Sequence, residues 1–292
     1  MKTSVITYNR NDGYKETERF AIHLKVLLDT FDEVNYVDWN SPTRSFLYEV
    51  IDELPKTGRL KHFVVAPETH NFLFKDVPLT VPKAINNLAV NLAMRRTDAD
   101  WIALTTSDNI PPLREELEEF IKNADKDTFY TFSRRDIEYG DVLNNLNNLT
   151  EYRKYLGTIT EPRYFPAKVT PNDNYSLINC CGDFQFAPRK IWMDMKGTEE
   201  EMIYNCFLDT NIQKKAVIYG YKLVPIFDIP MYHMSHKNQL PQGGSTANLH
   251  KNAEEIGTPT YNDAWDWIEN FTESQNTESW GFGDTEIEFE VF

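Results

Sequence analysis

Cysteine is scarce in this chain: three among 292 residues, two of them adjacent at Cys180 and Cys181 and the third at Cys206. That spacing fits neither a disulfide framework nor a zinc site, and it predicts reduced thiols in a cytosolic setting. Basic residues are few relative to acidic ones, 30 Lys and Arg against 45 Asp and Glu, for a net charge of -15. An acid surplus of this size excludes broad binding to nucleic acid or to an anionic membrane and leaves room only for a local basic pocket. Long apolar runs are missing as well. No stretch has the length to span a bilayer, and Met1-Lys2-Thr3-Ser4-Val5-Ile6 enters a strand pattern without a signal-peptide core. These absences predict a cytoplasmic protein with no integral membrane segment. There is no internal repeat and no long low-complexity tract.

What is present is an ordinary globular composition, 41% apolar and 13% aromatic, in a chain long enough for one large core with an appendage. The pattern predicts a strand over 4–7, a helix over 15–31 with Phe20, Ile22, Leu24, Leu27, Leu28 and Phe31 near enough to helical spacing to lay one face on a sheet, and a strand over 33–37. A helix over 45–54, a strand over 61–66 and a helix over 82–96 follow, the last carrying Ala84, Ile85, Leu88, Ala89, Leu92 and Ala93 on one side. The apolar run 101–104 is of strand length and empties into Thr105-Thr106-Ser107-Asp108-Asn109-Ile110-Pro111-Pro112. Strand and helix alternating in this way give an α/β fold with a mostly parallel central sheet and helices on both faces.

Beyond it the pattern predicts a helix over 113–122 and a strand over 128–133. Loops with a short helix are expected across 136–175, then a strand-like segment over 179–186 and a helix or turn over 188–195. A helix over 205–219, a strand over 221–227, a strand end or loop over 231–238 and a Trp-rich helix over 265–271 complete the reading, before an acidic tail. We divide the chain into a domain at 1–240 and a C-terminal extension at 241–292 that packs on or near the site.

Three strand ends carry polar clusters: Thr7 to Arg10, Asp38 to Ser41 and Thr106 to Asn109. Parallel strands bring such ends to one edge, where open α/β sheets hold their ligands. Asp108, flanked by oxygen-bearing side chains, is a ligand for a hard divalent cation that in turn holds a diphosphate. Alone, Asp108-Asn109 reads only as a turn before Pro111.

In this order the pieces resemble the GT-A glycosyltransferases, in particular their family-2-like branch. Thr7-Tyr8-Asn9-Arg10 is similar to the motif that ends the first strand of that family and lines the nucleotide base. Asp38 with Asn40-Ser41 is similar to its D-x-x-S, whose acid meets the uracil or ribose. Lys83 to Ala89, with Asn87, resembles the A-x-N-x-G helix before the metal strand, without its glycine. Thr106-Ser107-Asp108 stands where the family has D-x-D, with Thr106 replacing the first acid. Gly182-Asp183-Phe184 with Arg189 and Trp192, Leu208-Asp209 before Gly220-Tyr221, and Tyr232-His233-Met234-Ser235-His236 match later blocks. The likeness spans residues 4 to 238.

The resemblance implies a transfer from a nucleotide-sugar donor, a UDP-sugar, to a hydroxyl of a glycan or glycoprotein acceptor. It implies Mn2+ or Mg2+ held by Asp108, with His233 and His236 completing the coordination or touching phosphate, and Arg10 or Lys237 adding charge. Thr7, Tyr8, Asn9, Arg10, Asp38, Asn87 and Ser107 then bind the nucleotide. Asp209 is the base of an inverting displacement, and Asp183 binds donor or acceptor hydroxyls. Each has a plainer reading. Asp209 also suits a helix N-terminus, Gly182-Asp183 a turn, His233 a packed histidine, Trp192 and Tyr232 the core, and Glu199 to Glu201 a solvated helix start. Two other functions remain open. One is an inactive glycan- or protein-binding module on the same fold. The other is a nucleotidyltransferase, which calls for a glycine-rich basic loop where Tyr8 to Tyr14 has one glycine and one arginine.

Overall fold

The computed structural model describes residues 1–9, 17–39, 56–73, 85–145, 148–159, 182–202, 208–235, 261–283, 285, 287 and 289–292. The expected helix at 45–54, all three cysteines, Arg10, His236 and Lys237 lie outside these residues. Strands β1 (Thr3–Asn9), β2 (Glu33–Trp39), β3 (Leu60–Val65) and β4 (Trp101–Thr105) form a parallel block in the order β3-β2-β1-β4. Nearly every residue in them is buried, which is why they read in the sequence as short apolar runs rather than alternations.

The second half of the sheet is mixed. Strand β7 (Phe184–Pro188) runs antiparallel to β4, and β6 (Thr128–Glu138) runs antiparallel to β7. Strand β8 (Lys222–Ser235) is parallel to β6, and β5 (Asn109–Ile110) closes that edge antiparallel to β8. At the far edge β9 (Phe289–Val291), expected only as acidic tail, pairs antiparallel with β3.

Side chains alternate across each strand, so the sheet carries two apolar clusters. On one face Val5, Val34, Trp101, Phe184 and Phe186 meet α1 (Thr17–Thr30) and α4 (Arg114–Asn123). On the other Ile6, Val37, Ile102, Leu104 and Ala187 meet α3 (Ile85–Arg95), α7 (Arg189–Asp194) and α8 (Leu208–Ile218). A short helix α2 (Pro67–Leu73) follows β3.

Strand β6 runs five residues past its expected end. The stretch expected as loops with a short helix holds two helices, α5 (Tyr139–Asn144) and α6 (Leu149–Ile159), among its described residues, and these share a third cluster with Ile137, Tyr232 and Met234. Strand β8 likewise continues through 231–235, so His233 stands on a strand rather than in a loop. Among the described residues no helix is long and apolar enough to cross a membrane.

The C-terminal segment is wired into the body. Lys214 on α8 donates to the carbonyls of Ile268 and Glu269, at the end of α9 (Tyr261–Asn270). Beyond it, Arg96 donates to the carbonyls of Gly281 (2.7 Å) and Thr285 (2.8 Å), and Asn276 to those of Lys196 and Thr198. Trp280 lies in the α3-side cluster under the Arg95 guanidinium, 5.5 Å from its ring centroid. Gly197, at φ +67°, completes the turn these groups grip, and a side chain there would strike Asn91.

A buried histidine ties α1 to the edge of the sheet. His23 Nδ1 lies 2.5 Å from the Asn109 carbonyl, which can only accept, so Nδ1 carries the proton and Nε2 accepts from the Thr7 hydroxyl at 2.9 Å. Burial brings its pKa down from 6.5 to about 4.

Two outcomes are expected. Because the unfolded chain takes up this proton near pH 6.5 and the folded protein only near pH 4, stability falls as the pH is lowered through that window. In His23→Asn the slope of unfolding free energy against pH there is flatter by up to about one proton, measured by denaturant titration. Trp280→Ala costs about 3–5 kcal/mol by the same measurement, the range for emptying a buried aromatic site.

Candidate active site

After Thr105 the chain leaves β4, turns over 106–108 and re-enters the sheet as the two-residue β5. Asn109 and Ile110 pair with His233 and Tyr232, and the amide of Met234 donates to the Asp108 carbonyl at 3.0 Å. This pairing sets Asp108 beside a residue 125 positions away, with His233 Nε2 3.1 Å from Asp108 Oδ2. The other oxygen, Oδ1, accepts from the Thr106 hydroxyl at 2.7 Å. Thr106, standing where the resembling family has an acid, therefore orients the remaining one. The buried Asn109 amide donates to Thr106 Oγ1 (2.6 Å) and to the Asp183 carbonyl (3.0 Å), joining the turn to the start of β7.

Strand β6 supplies two residues that sequence reading did not single out. Its register with β8 shifts between Phe132 and Arg134, an irregularity of the kind that re-aims side chains. Arg134 then reaches three partners: Nε to Asp136 Oδ1 (2.8 Å), Nη1 to Asp183 Oδ2 (2.9 Å) and Nη2 to His233 Nδ1 (2.7 Å). Asp136 Oδ1 is also 3.0 Å from His233 Nδ1. A guanidinium only donates, so the shorter contact assigns the lone pair to Nδ1 and the proton to Nε2, facing Asp108. Asp108, Asp136 and Asp183 share this edge with the one Arg134 guanidinium, so acids outnumber bases among these contacts.

Asp209 lies in the first turn of α8, half-buried beside Gly182. Burial and the Asp183 carboxylate raise its pKa from 3.8 to about 6, against backbone N–H donors from Thr210, Asp209 and Gly182 that hold it down. Gly182 has no room for a side chain, since a Cβ there would fall inside the Asp209 side chain. Asp183, Asp209, Tyr8, Thr105, Thr106 and Asn87 line one pocket of about 280 Å³. The Tyr8 phenol is pushed well above its usual range by burial and by Asp108, Asp183 and Asp209.

The remaining predicted site residues sit as follows. Asn87 donates to the Glu199 carbonyl at 2.7 Å, and Ser107 is half-exposed at the tip of the turn. Asn9 is half-exposed at the end of β1. Thr7 is fully buried, its hydroxyl bonded to His23, and neither it nor Asp38 lines the pocket. Asp38 lies beneath the surface with His62 Nε2 3.9 Å from its Oδ2.

Trp192 is core, its Nε1 donating to the Ile102 carbonyl, and the Tyr232 hydroxyl bonds the Arg153 carbonyl inside the third cluster. Glu199 corrects the expectation of a solvated helix start. It is fully buried, 3.3 Å from the equally buried Lys215, and accepts from Ser274 at 2.8 Å.

Among the described residues no group of three or more His, Cys, Asp or Glu side chains is placed to hold a cation unaided. Asp108 and His233 make a two-residue donor set, with Asp136 placed to accept from Nδ1 once Nε2 turns its lone pair outward. Such a set suits Mn2+ or Mg2+ that draws its other ligands from water and substrate phosphate.

No protein-family model and no curated protein sequence matches the chain. Its fold is similar to that of S. aureus TarS 1–349 in complex with UDP, at 16% identity and a TM-score of 0.49 over 88% of this chain and 64% of that one. The chain thus spans less than two thirds of that structure. It is also similar to the mannosyltransferase PcManGT from Pyrobaculum calidifontis in complex with GDP-Man and Mn2+, at 14% identity and a TM-score of 0.52 over 96% of this chain and 72% of that one. The mixed α/β architecture with its large, mostly parallel sheet is a fold this chain shares with a glycosyltransferase.

Proposed function

We propose that the chain is a glycosyltransferase that moves a sugar from a nucleotide-sugar donor, a UDP-sugar, to a hydroxyl of a glycan or glycoprotein acceptor. The observation that carries the reading is a pocket lined by Asp183 and Asp209, with Asp108 and His233 tied to its rim through Thr106 and Arg134. Asp108 and His233 would hold Mn2+ or Mg2+, whose positive charge stabilises the departing diphosphate. Tyr8, Asn9 and Ser107, at the strand tips, border the same edge, and we assign Thr7, Arg10, Asp38 and Asn87 with them to the nucleotide. His236 is kept as a further metal ligand. We assign the enzyme to the cytoplasm and the segment 241–292 to a wall of the site.

Asp209 takes the proton from the acceptor hydroxyl as its oxygen bonds the anomeric carbon and the bond to the diphosphate breaks. One displacement inverts the configuration. A carboxylate with a pKa near 6 is ionised at neutral pH and is a stronger base than an ordinary aspartate. Asp183 offers acceptor oxygens to sugar hydroxyls while Arg134 fixes its orientation. The rival reading, an inactive binding module, draws on the Thr106 bond to Asp108, which satisfies that carboxylate without a cation.

Two experiments test the proposal. In calorimetric titration with UDP-sugars and Mn2+, Asp108→Ala loses metal-dependent donor binding. Asp209→Asn keeps that binding and loses about 100-fold or more in turnover, the scale of a lost general base. Intact turnover in both variants defeats the mechanism, and absence of cation-dependent nucleotide binding by the native protein favours the binding module. Separately, turnover rises with pH through a midpoint at about 6, as Asp209 ionises. Asp183→Asn removes a neighbouring negative charge and moves that midpoint to lower pH; an unmoved midpoint speaks against Asp209 as the titrating group.

A further inference from the structure

Resting on the transferase reading, we infer that the pocket beside Asp209 takes an uncharged hexosyl group and rejects a uronic acid, with Gln185 accepting a hydrogen bond from one of the sugar hydroxyls. At about 280 Å³ the pocket falls just under the roughly 300–1,000 Å³ that house drug-sized ligands, so it has room for one ring and not for an oligosaccharide. Val90, Leu104 and Ile212 give it apolar walls for the C–H faces of such a ring.

The charged side chains of the described lining are all acidic. Asp183 and Asp209 both belong to it, and among its described residues there is no Lys, Arg or His. The Arg134 guanidinium lies outside the lining and is directed at Asp136, Asp183 and His233. A carboxylate on the ligand would enter beside two others, with no basic side chain in the described lining to receive it. The repulsion is already felt, since Asp183 contributes to raising the Asp209 pKa.

Gln185 adds an independent observation. It is fully buried on β7 and lines the pocket. Its Nε2 donates to the backbone carbonyl of Asp209 at 3.3 Å, and because a carbonyl only accepts, this bond fixes which end of the amide is which. The Oε1 is left without a hydrogen-bond partner among the described residues. A buried acceptor in that state calls for a donor, and a sugar hydroxyl is one that the proposed substrate brings. No residue motif in the sequence marks Gln185.

The test is calorimetric titration of the full chain, with Mn2+ present, against two matched pairs: UDP-glucose with UDP-glucuronate, and GDP-mannose with GDP-mannuronate. In whichever nucleotide series binds, the neutral sugar is expected to bind at least tenfold more tightly than its uronate. Gln185→Met is expected to weaken the neutral sugar nucleotide about tenfold, the loss being confined to the sugar so that affinity for the plain nucleoside diphosphate is the same in both proteins. Equal or tighter binding of the uronate overturns the inference while leaving the transferase reading in place. An unchanged affinity in Gln185→Met removes the role given to that residue. Failure of all four compounds to bind overturns the transferase reading, and this inference with it.

Discussion

The site depends on two residues of backbone pairing. Strand β5 is only Asn109–Ile110, yet by joining the end of β8 it fixes the turn that carries Asp108 against the strand that carries His233. Every polar contact at this edge follows from that junction. His23 reinforces it from the α1 side through the Asn109 carbonyl, and the Asn109 amide reinforces it from within by bonding Thr106 and the Asp183 carbonyl. With both sides of one residue held, the Asp108 carboxylate has little freedom left. A cation held at Asp108 and His233, as proposed, would need that rigidity.

Two acids near one another have different surroundings. Asp183 is bonded to the Arg134 guanidinium, whereas Asp209 faces Asp183 in a pocket whose described lining has no basic side chain. Different surroundings of this kind fit the separation of the two proposed tasks, binding for Asp183 and proton acceptance for Asp209. Gly182 makes the separation possible, because only the absence of a side chain lets Asp209 lie that close.

The rear wall of the pocket comes from elsewhere. Thr198 is gripped by Asn91 through its amide (2.7 Å) and hydroxyl (3.0 Å), and Asn276 from the C-terminal segment bonds its carbonyl at 2.6 Å. The buried Glu199–Lys215 pair joins the same turn to α8, the helix that carries Asp209. The C-terminal segment thereby supports one wall of the pocket from behind.

Much of the framework was legible. Strands buried on both faces must be apolar along their length, and Phe20, Leu24, Leu27, Leu28 and Phe31 recur at the helical period, so composition and spacing alone determined the alternating α/β order. Polar residues after a strand end marked Asp108 as a candidate, because a parallel sheet gathers such ends at one edge, whereas Asp183 and Asp209 were marked by the resemblance alone. The partners of those acids were not legible. Arg134 and Asp136 sit in the charged run Ser133-Arg134-Arg135-Asp136, which looks like a solvated strand end until a register shift against β8 turns it inward. Gln185 has no local signature, and Glu199 resembles its exposed neighbour Glu201 in sequence. Local pattern is set by short-range packing and hydrogen bonding, and so the sequence determined the elements and their polar tips. Which charges meet, which carboxylate is left to bind a proton and which acceptor is left unsatisfied are products of contacts between residues far apart in the chain, and only the tertiary structure decided them.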